Sequence, residues 1–362
     1  MSMPPPYGMD PAEAHSALRR GVVSAVAGIA LIAVLGFLIA RSDVGSAAVA
    51  DLAARMRPGH LALAWTLMTS AFVFMAFRWR VLMPSEARPP IPGLSAILCA
   101  GLLLNYTVPG PVGEVGAAWF AHRRYRVPLG DSLASGVTAR ALGLATAAVL
   151  AGVIWLASEL PVPESHEGLV GAAAGVIAAG GLALGALAVR PLLWKRLTHA
   201  VLDRVGDQGL VGRMAARVAA GIDAVTDSFA SVLRVGLARW LAATLWAVAG
   251  HAAVILSIVV AVEGLGAEAS LAGLAFTYAT TTAGAVALFA LPGSQIGWDA
   301  LFVALLVATA GLALPDSVAV AALVRVQQLS AMVLGAVAVA WLLPGLRDGS
   351  GAGEPPRSDG DP

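Results

Sequence analysis

Six stretches of this chain stay apolar for roughly the twenty residues that carry a helix across a bilayer's hydrocarbon layer of about 30 Å. They are Gly21–Ala40, Leu61–Phe77, Ser132–Ala157, Gly168–Val189, Leu237–Val262 and Val324–Leu343. In lipid every backbone N–H and C=O must be bonded within the protein, so runs of this length commit the chain to membrane-spanning helices. Composition agrees: 12% of the 362 residues are charged and 58% hydrophobic, against about 25% charged in soluble domains. The predicted fold is all-α and polytopic, with about six full spans in one domain over residues 21–346. Residues 1–20 and 347–362, rich in Pro, Gly and Asp, read as disordered tails. Gly21–Ala40 is longer than a secretory h-region and is predicted to be an uncleaved first span.

Two further apolar stretches are interrupted. Pro92–Val108 runs into Pro109-Gly110, and Leu271–Leu291 runs into Pro292-Gly293. Proline lacks the N–H a helix needs and glycine favours a turn, so each pair ends its helix. At membrane depth the freed backbone must face protein or a water-filled cavity. The two segments are therefore predicted to be re-entrant hairpins or broken helices.

The distribution of Lys and Arg orients the spans. The loop Ser158–Glu167 has three Glu and no Lys or Arg, whereas residues 190–239 carry eight. Placing the latter in the cytoplasm puts both termini there, with 18 of the 23 basic residues inside and three outside. Within that connection Met214, Val218, Ile222, Val225, Phe229 and Val232 form one apolar stripe, a helix over about 195–235 that lies at the interface or packs on the spans.

An internal match ties the interrupted segments together. Asp131-Ser132-x-Ala134, followed by Arg140, recurs 185 positions later as Asp316-Ser317-x-Ala319, followed by Arg325. Glu114 maps onto Asp299 at the same offset, and Pro109-Gly110 corresponds to Pro292-Gly293. By the charge count the two copies, about 91–157 and 270–343, run in opposite directions. Inverted repeats with paired interrupted segments point to a midplane substrate site. An arginine within a span costs about 2.5–3.5 kcal/mol on insertion scales, so Arg140 and Arg325 should face inward with Glu114 and Asp299 as partners. Those pairs either tie each hairpin to its next helix or also receive an anionic headgroup, since guanidinium binds phosphate in a fork.

At these residues the chain resembles the flippase-like family formed by the transmembrane region of lysylphosphatidylglycerol synthases. The resemblance rests on Arg78-Trp79, on Asn105 followed by Pro109-Gly110 and Gly113-Glu114, on Arg140, and on Pro292-Gly293 with Gly297. It implies handling of an amphipathic lipid, such as an aminoacylated phospholipid or a polyprenyl-linked or related lipid, with Asn105 beside the charged residues and Pro109, Gly110, Gly113, Pro292, Gly293 and Gly297 as hinges. This chain departs from the family in having Pro292-Gly293-Ser294 and Asp299 where Pro-Gly-Gly and a Glu are common. A soluble aminoacyl-transferring domain is not expected, so synthase activity is not expected either.

The leading expectation is a lipid flippase or transporter of the cell membrane. A scaffold for a lipid-modifying or glycosyltransferase partner, or an integral-membrane lipid enzyme, is the alternative. The enzyme would need a nucleophile or metal cluster, yet His15, His60, His122, His166, His199 and His251 are scattered without ligand spacing. No catalytic residue, metal, cofactor or nucleic-acid partner is expected. His251, within a span, reads as a satisfied core histidine in preference to a proton relay, Cys99 as a small buried side chain, and Thr280-Thr281-Thr282 as caps for backbone freed by the second Pro-Gly in preference to the lining of a polar path.

Overall fold

The computed structural model describes residues 54–83, 88–107, 112–162, a few positions between 168 and 180, 228–288 and 294–342. Among the described residues there are eight principal helices: α1 (Pro58–Leu82), α2 (Ile91–Thr107), α3 (Val112–Tyr125), α4 (Leu129–Ala157), α5 (Leu237–Gly264), α6 (Leu271–Leu288), α7 (Ser294–Ala310) and α8 (Leu314–Leu342). Helices α1, α4, α5 and the Leu314–Val339 part of α8 are long and apolar enough to cross a membrane, while Ile91–Asn105 and Trp298–Ala310 are shorter apolar helices. The expected spans Gly21–Ala40 and most of Gly168–Val189 lie outside the described residues, as do Pro109, Gly110, Pro292 and Gly293.

Local chemistry sets the helix ends. Pro58 opens α1 at a position where its missing N–H is no loss. Asp131 and Asp316 stand in the first turns of α4 and α8, where a negative charge meets the positive end of the helix dipole. Helix α5 closes with Gly266 at φ 70°, its N–H bonding Glu263 O while Ala267 N–H reaches back to Val262 O. That is a Schellman close, which needs a left-handed residue just beyond the helix.

The structure moves one sequence expectation: α8 begins at Leu314, ten residues before the expected start at Val324. Apolarity alone missed its first turns because Pro315, Asp316 and Ser317 interrupt the run at its start. As a result α4 and α8 are both 29 residues long. The Asp-Ser pairs are their first turns, and Arg140 and Arg325 each stand eleven residues after the first residue. Ser132 and Ser317 are both fully buried.

Helices α2 and α3 pack as an antiparallel hairpin, and α6 and α7 as another. In the first, Gly93 lies against Tyr125 and Gly101 against Gly113, where an added Cβ on Gly101 would come within 2.7 Å of the Gly113 carbonyl. In the second, Ser270 N–H bonds Ala310 O at 3.0 Å. Each hairpin also packs on a long helix from the other end of the described sequence, α2 on α8 and α6 on α4. Helices α1 and α5 form the central pair. Ala64, Met68 and Ala71 meet Ala253, Val254 and Ala261 there, and Ser257 donates to Ala64 O at 2.8 Å and to Gln327 Oε1 at 2.9 Å. Small residues at the seam let helices approach closely, which drives helix association where lipid removes the hydrophobic incentive. On the outer faces leucines point outward, Leu156 at 86% exposure and Leu237 at 75%, as a lipid-facing rim requires.

Of the expected 195–235 helix only the end is described. There Phe229 and Val232 pack against Leu82 and Met83 in a buried cluster, so this part packs on the spans.

Candidate functional site

The expected ion pairs form. Arg140 of α4 donates to Glu114 at the start of α3, and Arg325 of α8 donates to Asp299 of α7, its Nε contact being 3.1 Å. Asn105, at the end of α2, clamps the first pair: its Nδ2 donates to both Glu114 oxygens at 3.1 Å, and its Oδ1 accepts the Gly113 N–H at 2.7 Å. Gly113 is required because any Cβ there would run into Asn105 and the Gly101 carbonyl. The second pair is held differently. The Arg325 guanidinium lies over the Trp298 ring, 4.7 Å from its centroid, and donates to Gln328 Oε1 at 3.3 Å. Gly297 lies within α7, one residue before that tryptophan.

Both arginines, with Glu114 and Asn105, line one cavity of about 280 Å³. Its walls come from α1 through α8, apolar on most sides: Met68, Phe72 and Met75 from α1, Leu98 and Leu102 from α2, and Met332 from α8. Asp299 stands behind Arg325 and is itself half-exposed. An apolar pocket with a few converging polar groups is the usual form of a small-molecule or headgroup site.

Sequence reasoning missed two contributors. Arg78 was noted only as part of a motif, yet it is 5% exposed and lines the cavity. The helix α1 is apolar along its length up to this point, and nothing in the sequence says which way a terminal arginine turns. Trp79 beside it is fixed by Ser135 Oγ at 3.0 Å and the Ser132 carbonyl at 3.3 Å. The second contributor is Tyr278 of α6, whose hydroxyl meets His251 Nδ1 at 2.9 Å. His251 Nε2 meets the Gly143 carbonyl, also at 2.9 Å. A carbonyl only accepts, so Nε2 carries a hydrogen and the uncharged ring can take the tyrosine's proton at Nδ1. His251 is thus satisfied, as expected, but at the cavity wall and not in a remote core.

The threonines divide. Thr281 bonds back to Thr277 O and Tyr278 O within its own helix, Thr282 lines the cavity, and Thr280 is buried with no hydrogen-bond partner. The backbone that they were expected to cap, around Pro292-Gly293, lies outside the described residues. Cys99 is buried against Gly335, as expected. No group of three or more His, Cys, Asp or Glu suited to a metal occurs among the described residues.

No curated protein and no solved structure matches the chain. The family model for the lysylphosphatidylglycerol synthase transmembrane region matches residues 25–342, and the chain belongs to that family.

Proposed function

We propose that this member of the lysylphosphatidylglycerol synthase transmembrane-region family binds an amphipathic lipid by its anionic headgroup in the central cavity and moves it between leaflets. The observation that carries the reading is the convergence of Arg140 and Arg325 on one cavity from equivalent positions of two 29-residue helices. The hairpins α2–α3 and α6–α7, each crossing to the long helix of the other half, support the inverted repeat read from the sequence. A site between inverted halves can be opened to either side by rocking one half against the other. The basic residues of 190–239 support a reading in which that connection and both termini face the cytoplasm of a cell-membrane protein.

In this reading Glu114, Asp299 and Asn105 hold the two guanidinium groups ready for a phosphate, which replaces a carboxylate on one N–H edge. Pro109-Gly110 and Pro292-Gly293 are the hinges, with Gly113 and Gly297 allowing close backbone approach. The test is leaflet exchange of fluorescent phosphatidylglycerol and phosphatidylcholine in proteoliposomes, with wild type, Arg140→Lys and Arg325→Lys at equal reconstituted amounts. Wild type is expected to exchange the anionic lipid, and the lysine variants to fold yet lose exchange, because an ammonium cannot reproduce the guanidinium fork. Folded lysine variants at the full rate would remove the headgroup role. Wild type no faster than empty vesicles, with a protein partner co-purifying in stoichiometric amount, would replace transport by a scaffold function.

A further inference from the structure

Among the described residues the cavity holds three arginines, and two of them sit against a described acid. Arg140 has Glu114 and Arg325 has Asp299. Arg78 is 5% exposed, its Nε is buried without a hydrogen-bond partner, and no described acid pairs with it. Arg140 lies near enough to add like-charge repulsion. The local fold nevertheless makes room for this cation: on α4 the residue facing it is Gly143, whose added Cβ would lie 2.8 Å from Arg78 Cζ. A glycine kept small for a guanidinium, and a guanidinium kept without a counter-charge, leave the positive charge to be met by something entering the cavity. Burying a charge without a partner is strongly unfavourable, so the demand is for an anion and not merely for a polar group.

We propose that Arg78 is the primary anion seat of the cavity and that it selects a headgroup carrying one net negative charge, a phosphodiester. This deepens the lipid-site reading above and rests on it. The charge count sets the class. Two ion pairs are neutral, the His251 ring is satisfied without a charge by Tyr278 and Gly143, and Arg78 adds one positive charge. One phosphodiester neutralises it. A zwitterionic headgroup brings a cation as well, and both acids at the cavity are already engaged by arginines. The largely apolar wall around Arg78, with Met68, Phe72 and Met75 on its own helix, suits glycerol and the first acyl carbons better than a bare inorganic ion.

The experiment is binding in detergent, which is independent of transport. Purified full-length protein is titrated with dioctanoyl phosphatidylglycerol, dioctanoyl phosphatidylcholine or sodium phosphate, and thermal unfolding and native mass spectrometry are recorded. Phosphatidylglycerol is expected to raise the melting temperature and to appear as a bound adduct, with little effect from the other two. Arg78→Gln should unfold at the same or a higher temperature without lipid, because an unmatched buried charge has gone, and should bind phosphatidylglycerol about tenfold or more weakly. Gly143→Ala, which keeps the arginine but displaces its guanidinium, should lose the lipid shift as well and serves if Arg78→Gln does not fold. Full affinity in either variant would overturn the assignment, as would an Arg78→Gln protein that is less stable yet retains the shift. An equal response to sodium phosphate would assign the seat to free anions instead of lipid, and an equal response to phosphatidylcholine would overturn the charge selection. Arg78-dependent binding with no leaflet exchange would uphold this inference and refute only the transport reading.

Discussion

Removing Arg140 tests whether its pair with Glu114 is a strut of the fold, and the two ion pairs supply an internal comparison. The side chains are 30% and 14% exposed in the Arg140–Glu114 pair, and 16% and 40% in the Arg325–Asp299 pair. A fully buried pair loses about 3–5 kcal/mol when one partner is deleted, and an exposed pair contributes about 0.2–1 kcal/mol. Arg140→Ala strands Glu114 in the more enclosed place, but Asn105 still donates to both its oxygens. We therefore expect a loss of about 2 kcal/mol, between those limits. Glu114→Gln with Arg140→Ala should cost less than the sum of the single changes, with a coupling of about 1–2 kcal/mol. The Arg325–Asp299 cycle should give a smaller coupling, about 0.5–1 kcal/mol, since the Asp299 side chain is 40% exposed. The contact of Arg325 with Trp298 is removed in both arginine-deleted variants and cancels in that cycle. Unfolding of each purified variant in mixed micelles by added denaturing detergent measures the four stabilities. Additivity within about 0.5 kcal/mol at the first pair, or a larger coupling at the second, would refute the reasoning.

Gly113→Ala should destabilise by about 2 kcal/mol or more, because its Cβ would enter backbone of α2 and the Asn105 clamp, and a melting temperature equal to wild type would contradict the close approach. Trp79→Phe should cost about 1 kcal/mol by leaving Ser135 without its indole donor, measured by the same detergent unfolding. In a Cys99→Ser background, single cysteines at Ser165 and Ser231 should label from opposite sides of intact cells, the second only after permeabilisation. Labelling of both from one side would reverse the orientation.

How much of this was legible beforehand depended on which interactions are local. Hydropathy located α1, α4 and α5 within a few residues, because a lipid-facing helix carries its signal in every residue. It placed the start of α8 ten residues late, since Pro315, Asp316 and Ser317 interrupt the run at its start and only the Asp316 first-turn pattern reveals the true beginning. The pairs Arg140–Glu114 and Arg325–Asp299 were legible from the equal offset and from the energetic demand for a partner. The Asn105 clamp followed from a motif, its geometry only from the hairpin. Arg78 was not legible as a site residue. Its role depends on α1 lying beside Gly143 of α4, a contact between residues 65 positions apart that no periodicity encodes. His251 was read correctly as satisfied, but its partners Tyr278 and Gly143 come from two other helices, so its place on the cavity wall could not be foreseen.

The inverted repeat proposed above raises a difficulty that Arg78 resolves. Each half offers a hairpin, an acid and an arginine at matching positions, so a headgroup entering the cavity would find two near-equivalent seats, with no reason to prefer one orientation. The central helices break that equivalence. Where α1 contributes Arg78, α5 contributes His251, whose two nitrogens are already bonded. The positive charge of Arg78 therefore lies next to Gly143 and close to Arg140, on the α4 side of the cavity. A headgroup held by its phosphate on Arg78 would meet Arg140 first and Arg325 second. This order has a consequence for the single variants. Arg140→Lys should weaken phosphatidylglycerol binding in detergent more than Arg325→Lys does, because a neighbouring fork supplements Arg78 only from the nearer side. Equal losses at the two positions would mean that the ligand lies across the pseudo-symmetric axis, and that Arg78 sets the charge of the cavity without setting the ligand's orientation.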